Sequence, residues 1–215
     1  MGFSTLIDIL GSTVIGGLLL LILFRMNDTA VENNYMYSGE RIVQQNLVEI
    51  VKLLEYDFRK IGYCYDWTKL SDPSMIILAA TNNRITFLTD FLSGANPYGD
   101  GIVDTLTYYL GNKSDLTVTP NPNDMVLYRL ENQTKLVGTG NAKGSNLGVT
   151  EFNLTYFDAS GDRITNLPKA PPFGIASIQL DIAVENPAAY GNDYSVDRKV
   201  IWRQIRLASR NFMIR

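Results

Sequence analysis

Three residues near the N-terminus, Asp8, Ser12 and Gly16, combine a carboxylate with two small residues at a spacing of four. Residues four apart lie on one face of an α-helix. Small residues at this spacing let two helices in a membrane approach closely. A carboxylate in hydrocarbon costs up to about 2.5–3.5 kcal/mol, so it usually has a partner or a purpose. The pattern predicts a subunit-assembly face. The alternative is a plain anchor that happens to contain small residues.

The residue types that carry most enzyme chemistry are absent or isolated. The chain has no histidine, which excludes Ser-His-Asp and Cys-His catalysis and histidine metal sites. Cys64 is the single cysteine, so no intrachain disulfide can form, and we expect a small buried residue there. No nucleophile motif or phosphate-binding loop is recognisable. We therefore predict a protein that is not an enzyme and has no cofactor.

A glycine-rich loop contains four residues with oxygen ligands: Asp90, Asn96, Asp100 and Asp104. Carboxylate and amide oxygens on a flexible loop could hold Ca²⁺. Their spacing matches no EF-hand, and loops rich in Asn, Asp and Gly are usually turns. We predict no metal site here.

The C-terminal region carries cations without an acid among them. Two interpretations are open: an anionic partner, or a solvated edge strand whose charges prevent aggregation. The whole chain has a net charge of −3, which argues against nucleic acid as the main partner. The cations are Arg198, Lys199, Arg203, Arg206, Arg210 and Arg215.

Residues 1–25 form the most apolar part of the chain. Residues 9–24 carry no charge, and Arg25 ends the run. As a helix, residues 3–24 would extend about 33 Å, enough for a hydrocarbon core of about 30 Å. A signal peptide is the alternative, but no Lys or Arg precedes the run, which favours a retained anchor. By the positive-inside rule alone, Arg25 would place the following domain in the cytoplasm.

A second, amphipathic helix follows a polar stretch, and we assign residues 26–62 to a linker and this helix. Weak breakers at Asn33-Asn34 and Ser38-Gly39 predict the linker. Gly62 is placed to end the helix. Apolar residues then recur at three and four, predicting a stripe that packs on a sheet. They are Ile42/Val43, Leu47, Ile50/Val51, Leu54, Phe58 and Ile61.

From residue 63 to residue 215 we predict a β-rich domain. Alternation of period two indicates a hairpin over 75–80 and 84–90, turning at Asn82-Asn83 with positive φ. A helix followed by consecutive antiparallel strands is an α+β arrangement. A second short hairpin is expected over 125–130 and 135–137, and further strands at 103–110, 149–157, 175–184 and, as one strand or two, 196–212. The alternating apolar residues of 149–157 and 175–184 are Phe152, Leu154, Tyr156, Ile178, Leu180 and Ile182.

Several stretches resemble the type IV pilin and type II secretion pseudopilin superfamily. Residues 4–8, Ser-Thr-Leu-Ile-Asp, resemble the family's Phe-Thr-Leu-Ile-Glu opening. Residues 43–64 resemble the helix end of J-type and PilW-like minor members, including Asp57-x-Arg59-x-x-Gly62-Tyr63. The chain lacks the family's basic leader before a glycine cleavage site, so cleavage is not carried over. Residues 127–130, 148–152, 156–161 and 210–212 are also similar in order and spacing.

The resemblance implies a pilin-like fold and a bacterial structural subunit of a type IV pilus or type II secretion pseudopilus. Asp8 would take the family's buried-acid role and pair with a neighbour's N-terminal ammonium. The partners would be copies of this chain or other pilin-like subunits. The chain would first cross the inner membrane once, with its domain extracytoplasmic, and then enter a periplasmic or cell-surface filament. The alternative is a monomeric, membrane-tethered binding or assembly module.

Overall fold

The computed structural model describes residues 2–70, 72–91, 96, 98–116, 119, 121–132, 134–137, 149–166, 173–185, 200–208 and 211. These residues form one long α-helix, α1 (Gly2–Arg59), and eight strands, which makes the fold α+β as predicted. Three short 3₁₀ helices connect elements at Trp67–Lys69, Pro73–Met75 and Lys113–Asp115. The chain divides into two compact units, Met1–Arg41 and Ile42–Arg215.

The first unit is the N-terminal part of α1. Every residue from 5 to 31 is exposed, including the whole uncharged run of residues 9–24. The polar stretch 27–39 is helical, so the predicted break between two helices does not occur. Asn, Ser and Gly are only weak helix breakers, with costs of about 1 kcal/mol or less per residue, and the helix continues through them.

In the second unit, α1 carries the predicted apolar stripe. Seven of the predicted residues are buried, but Ile42 is 54% exposed, so the stripe begins at Val43. After Arg59 the chain turns at Gly62, whose φ of 71° is one that residues with a Cβ rarely adopt. A Cβ at Gly62 would also lie 2.7 Å from Ile76 Cδ1. The buried stripe is Val43, Leu47, Ile50, Val51, Leu54, Phe58 and Ile61.

The first sheet has five antiparallel strands in sequence order. Both predicted hairpins are present. The second strand also pairs with the third, and Arg84 lies opposite Tyr109 in that pairing. The prediction of positive φ at Asn82-Asn83 is wrong, since a Thr81 N–H···O=C Arg84 bond of 2.8 Å closes that turn instead. The strands are β1 (Ile77–Ala80), β2 (Arg84–Thr89), β3 (Asp104–Leu110), β4 (Leu127–Glu131) and β5 (Thr134–Val137).

A second, three-stranded antiparallel sheet contains β6 (Val149–Phe157), β7 (Ser177–Glu185) and β8 (Val200–Leu207), in that order. The single sheet expected from the sequence is therefore divided into two. Residues 196–199, 209–210 and 212 of the last predicted strand lie outside the described residues. The predicted inward-facing residues of β6 and β7 are all buried: Phe152, Leu154, Tyr156, Ile178, Leu180 and Ile182.

One hydrophobic core joins the α1 stripe to both sheets. Phe58 of α1 packs edge-on against Phe87 of β2, with ring centres 5.6 Å apart. The two sheets meet where Leu154 N–H donates to Asn82 O at 2.7 Å and the Tyr156 hydroxyl donates to Thr81 O at 2.7 Å. The core thus depends on the stripe from Val43 onward and on no residue of the uncharged N-terminal run.

We predict that removing residues 1–25 leaves a soluble, folded domain, because every core residue lies at or beyond Val43. The truncated chain should unfold in one cooperative thermal transition, with the circular dichroism of a mixed α/β protein. A molten or aggregated product under all conditions would show that the N-terminal run belongs to the core. The full-length chain in detergent is the control.

Candidate functional site

The predicted assembly residues all lie within the N-terminal part of α1. Asp8 and Ser12 are exposed, and the Ser12 hydroxyl donates to the Ile9 carbonyl at 2.9 Å, within the same helix. A Cβ built on Gly16 would meet no atom within 4 Å. The helix geometry puts the three residues on one face, which is the arrangement that close helix packing requires. Their role in subunit contact stays a prediction.

The described residues include one helix, from Thr5 to Arg59, that is long and apolar enough to cross a membrane by length and composition. None of its most apolar 18-residue window is buried. Exposed residues such as Leu19 (57%) and Leu23 (64%) are unfavourable in water, so this surface needs lipid or another helix. A signal sequence near an N-terminus satisfies the same criterion.

A buried ion pair connects α1 to the first sheet. Asp57, in the last turn of α1, is 1% exposed. Arg129 of β4 donates from Nε to Asp57 Oδ2 at 2.7 Å and from one terminal nitrogen to Oδ1 at 3.3 Å. The Tyr108 hydroxyl, from β3, donates to Asp57 Oδ2 at 2.5 Å. The carboxylate therefore receives hydrogen bonds from two neighbouring strands at once.

Burial sets the protonation of this network. It raises the pKa of Tyr108 well above its usual 10, the Asp57 charge raises it further, and Arg129 opposes the shift. Burial by itself lowers the pKa of Arg129, but its hydrogen bond to Asp57 and the neighbouring charges outweigh this, and the net shift is upward. Tyr108 is thus a neutral donor and Arg129 a permanent cation. The arrangement suits a structural tie, with no nucleophile or proton acceptor directed at solvent.

This network was not predicted from the sequence, although one signal was present. Asp57 follows Leu54 by three and precedes Ile61 by four, so it occupies a position of the apolar stripe. An acid at such a position must be paired, because an unpaired buried charge is very costly. Nothing in the spacing identified Tyr108 and Arg129 as its partners, since they come from two strands distant in sequence.

The glycine-rich loop is built around Asp90, which is completely buried. Its carboxylate accepts backbone N–H bonds from Tyr65 (3.0 Å), Asp100 (3.1 Å) and Gly101 (3.0 Å). Gly99, with φ of 121°, lies so close that a Cβ there would clash with the carboxylate. Asp90 therefore fixes two chain segments to each other through their backbones.

Three of the four residues considered as calcium ligands come together, although no metal site was predicted. Asp90, Asp100 and Asp104 each offer a carboxylate oxygen within 4.8 Å of the others. Each also accepts a hydrogen bond from protein: Asp100 from Ile102 N at 2.8 Å and Asp104 from the Asn132 amide at 2.6 Å. The side-chain oxygen of Asn96 accepts a hydrogen bond from Tyr98 N–H at 3.0 Å. The arrangement is that of a hydrogen-bonded turn.

Cys64 is half-buried, and its thiol lies 3.8 Å from Asp90 Oδ2. Burial raises the pKa of the thiol, the Asp66 backbone N–H opposes this, and the Asp90 charge adds to the rise. A thiol of raised pKa is a poor nucleophile at neutral pH. Among the predicted C-terminal cations, Arg206 is exposed on β8, whereas the side chains of Arg198, Lys199, Arg203, Arg210 and Arg215 lie outside the described residues.

This chain has structural likenesses among solved proteins. No protein-family model matches the chain, and no curated protein matches it. Among solved structures, a type IV-like pilin from Thermus thermophilus is similar to it, with a TM-score of 0.44 and 10% sequence identity. The similarity covers 79% of this chain and 97% of that one.

We predict that Arg129→Met destabilises the domain by about 3–5 kcal/mol, because it leaves the Asp57 charge buried without its partner. Denaturant unfolding of the folded domain measures this. Arg84→Met is the matched control: Arg84 is exposed and stacks on Tyr109, and its loss should change stability by about 0.5 kcal/mol or less. Equal effects of the two substitutions would contradict a structural role for the ion pair.

We predict that Tyr108 makes the folded domain less stable at alkaline pH. Its pKa is raised on folding, so above pH 10 the unfolded chain loses the Tyr108 proton while the folded chain keeps it. Stability contributed by Tyr108 is therefore complete below pH 10 and falls as the pH rises through that value. Tyr108→Phe should be less stable at pH 7 and lose stability less steeply above pH 10. An unchanged slope would contradict this assignment.

We predict that calcium has little effect on the domain, since the loop carboxylates already accept protein hydrogen bonds. A site specific for the folded state would add about 2.7 kcal/mol at a hundred times its dissociation constant. The melting temperature should therefore be the same with a chelator as with excess Ca²⁺. A fall of several degrees on chelation would make the loop a ligand site.

Proposed function

We propose that this chain is a structural subunit of a pilus-like filament of the type IV pilus or type II secretion pseudopilus kind. In this proposal α1 has two roles in succession. Its apolar N-terminal part holds the newly made subunit in the membrane and then packs against the same part of other subunits in a filament. Its C-terminal part belongs to the β-rich domain, which faces outward.

The observation that carries the proposal is the contrast between the two parts of one continuous helix. From Val43 onward the apolar residues of α1 are covered by the two sheets. Over residues 9–24 they are exposed on every side of the helix. A helix that is apolar all round is stable in lipid or at the centre of a helical assembly. In this proposal the apolar part of α1 lies first in the membrane and then in the interior of the filament.

Asp8 favours assembly over simple anchoring. An anchor needs no charge, and a carboxylate in its apolar segment raises the cost of insertion. The acid lies on the same face as Ser12 and Gly16, where another helix can approach closely. The sequence resemblance to pilins gives the cationic partner, an N-terminal ammonium of the neighbouring subunit. Copies of this chain or related subunits would supply it.

The location follows from the same proposal. The chain would cross the inner membrane once, with the domain on the extracytoplasmic side, and would reach the periplasm or the cell surface as part of a filament. This orientation is opposite to the one that Arg25 alone would favour, and a single charge is a weak determinant of topology.

We predict that Asp8→Ala abolishes most filament assembly while the protein still inserts in the membrane and its domain stays folded. Removing one partner of a buried ion pair typically costs about 3–5 kcal/mol, enough to reduce assembly by more than a hundredfold. The measurement compares the yield of sheared filaments, seen by electron microscopy, with the amount of membrane-bound protein.

Two variants serve as controls. Asp8→Glu keeps the charge and should retain part of the assembly. Glu49→Ala removes an exposed acid of the same helix beyond the apolar run and should assemble normally. Normal filaments from Asp8→Ala would show that the acid has been misinterpreted. An absence of filaments from the wild type would favour the monomeric tethered module instead.

A further inference from the structure

A cleft lies beside the C-terminal end of α1. Its volume is about 540 Å³, and two of its lining side chains are arginines: Arg59, the last residue of α1, and Arg206 of β8. None of the described lining residues is acidic, in a chain whose net charge is −3. An anion bound in the cleft is attracted by the positive charges of the arginines that line it. The lining residues are Arg59, Tyr63, Arg206, Leu207, Ala208 and Asn211.

Arg206 is held in a defined orientation although it is exposed. Its guanidinium stacks over the Phe157 ring at 4.1 Å, and its Nε donates to Ser177 Oγ at 3.2 Å. These contacts leave the two terminal nitrogens without a partner among the described residues. A guanidinium presents those nitrogens as a planar fork that matches a carboxylate or a phosphate. Because the side chain is already ordered, less conformational freedom is lost when an anion binds.

The surrounding residues add positive charge and satisfy a backbone carbonyl near the helix end. The Lys60 ammonium lies 5.5 Å from the ring centre of Tyr63, which places a third cation next to the cleft lining. A helix C-terminus by itself disfavours an anion. Here the Asn211 amide donates to the Ile61 carbonyl at 3.0 Å and so satisfies one of the carbonyls just beyond that terminus.

We propose that this cleft is a binding site for an oxyanion, with Arg206 as the bidentate donor and Arg59 as the second cation. The ligand is a carboxylate or a phosphate, and it can come from two sources. One is a free anion. The other is a second copy of this chain, since residues 26–41 of α1 carry three acids, Asp28, Glu32 and Glu40, against one cation, Arg41. Asp28 and Glu32 are four apart and share a helix face.

The experiment titrates the full-length chain, in micelles of a non-ionic detergent at low salt, with inorganic phosphate and separately with a peptide of residues 26–41. Isothermal calorimetry should give saturable binding for at least one of the two probes. Arg206→Gln should weaken that binding about tenfold or more, because charge-assisted hydrogen bonds are lost. Arg59→Gln, which removes the second cation, should weaken it in the same direction. Arg84→Gln, an exposed arginine of β2 stacked on Tyr109, is the matched control and should bind as the wild type does.

The two sources are separated within the same titration. Phosphate binding without peptide binding identifies a free anion. Peptide binding that phosphate displaces, and that an Asp28→Asn, Glu32→Gln peptide loses, identifies a neighbouring copy. Circular dichroism verifies that each protein variant is folded. If Arg206→Gln does not fold, the binding measured with Arg59→Gln tests the proposal. Failure of the wild type to bind either probe, or unchanged binding by the folded arginine variants, overturns the proposal. None of these outcomes depends on whether filaments form.

Discussion

The hydrogen-bonded ion pair between Asp57 and Arg129 ties the last turn of α1 to the first sheet of the folded unit. A buried carboxylate is tolerated only where a cation and donors surround it. Here they come from β4 and β3, so α1 can occupy one position relative to the first sheet. Apolar packing alone specifies such a position less sharply, because hydrophobic contacts have no direction. The pair thereby complements the stripe, which supplies most of the burial.

The stripe in turn explains why the chain has two sheets around one helix. Six large apolar residues of α1, and Ile61 just beyond its end, need cover along several helical turns. Phe58 alone contacts rings of β2 and β3. The second sheet adds its own buried rows from β6 and β7 to the same core. Tyr156, whose hydroxyl donates to Thr81 O, ties that sheet to the first hairpin. The two sheets thus share one core and do not form separate domains.

The sequence predicted those elements whose periodicity is set by burial. The stripe from Val43 to Ile61 and the alternation in β6 and β7 follow from which face meets the core, and the structure confirms them. Features that depend on partners distant in sequence were not predictable. Arg129 and Tyr108 reach Asp57 only because β3 and β4 pair, and the division into two sheets depends on strand pairing that spacing does not specify. The turn is at Asn82-Asn83 as predicted and is closed by the Thr81 N–H···O=C Arg84 bond, but the expected positive φ is absent from both residues.

Three acids of this chain meet their surroundings in different ways, and the comparison bears on Asp8. Asp57 is stabilised by an arginine and a tyrosine, and Asp90 by three backbone N–H groups. Each is buried among groups that belong to the chain itself. Asp8 stands in an exposed apolar segment, and the structure gives its carboxylate no hydrogen bond or ion pair from the described residues. In water a carboxylate needs no such partner. In lipid or in a helical assembly a carboxylate is costly unless a cation or hydrogen-bond donors surround it, and the proposed filament would supply such a group to Asp8.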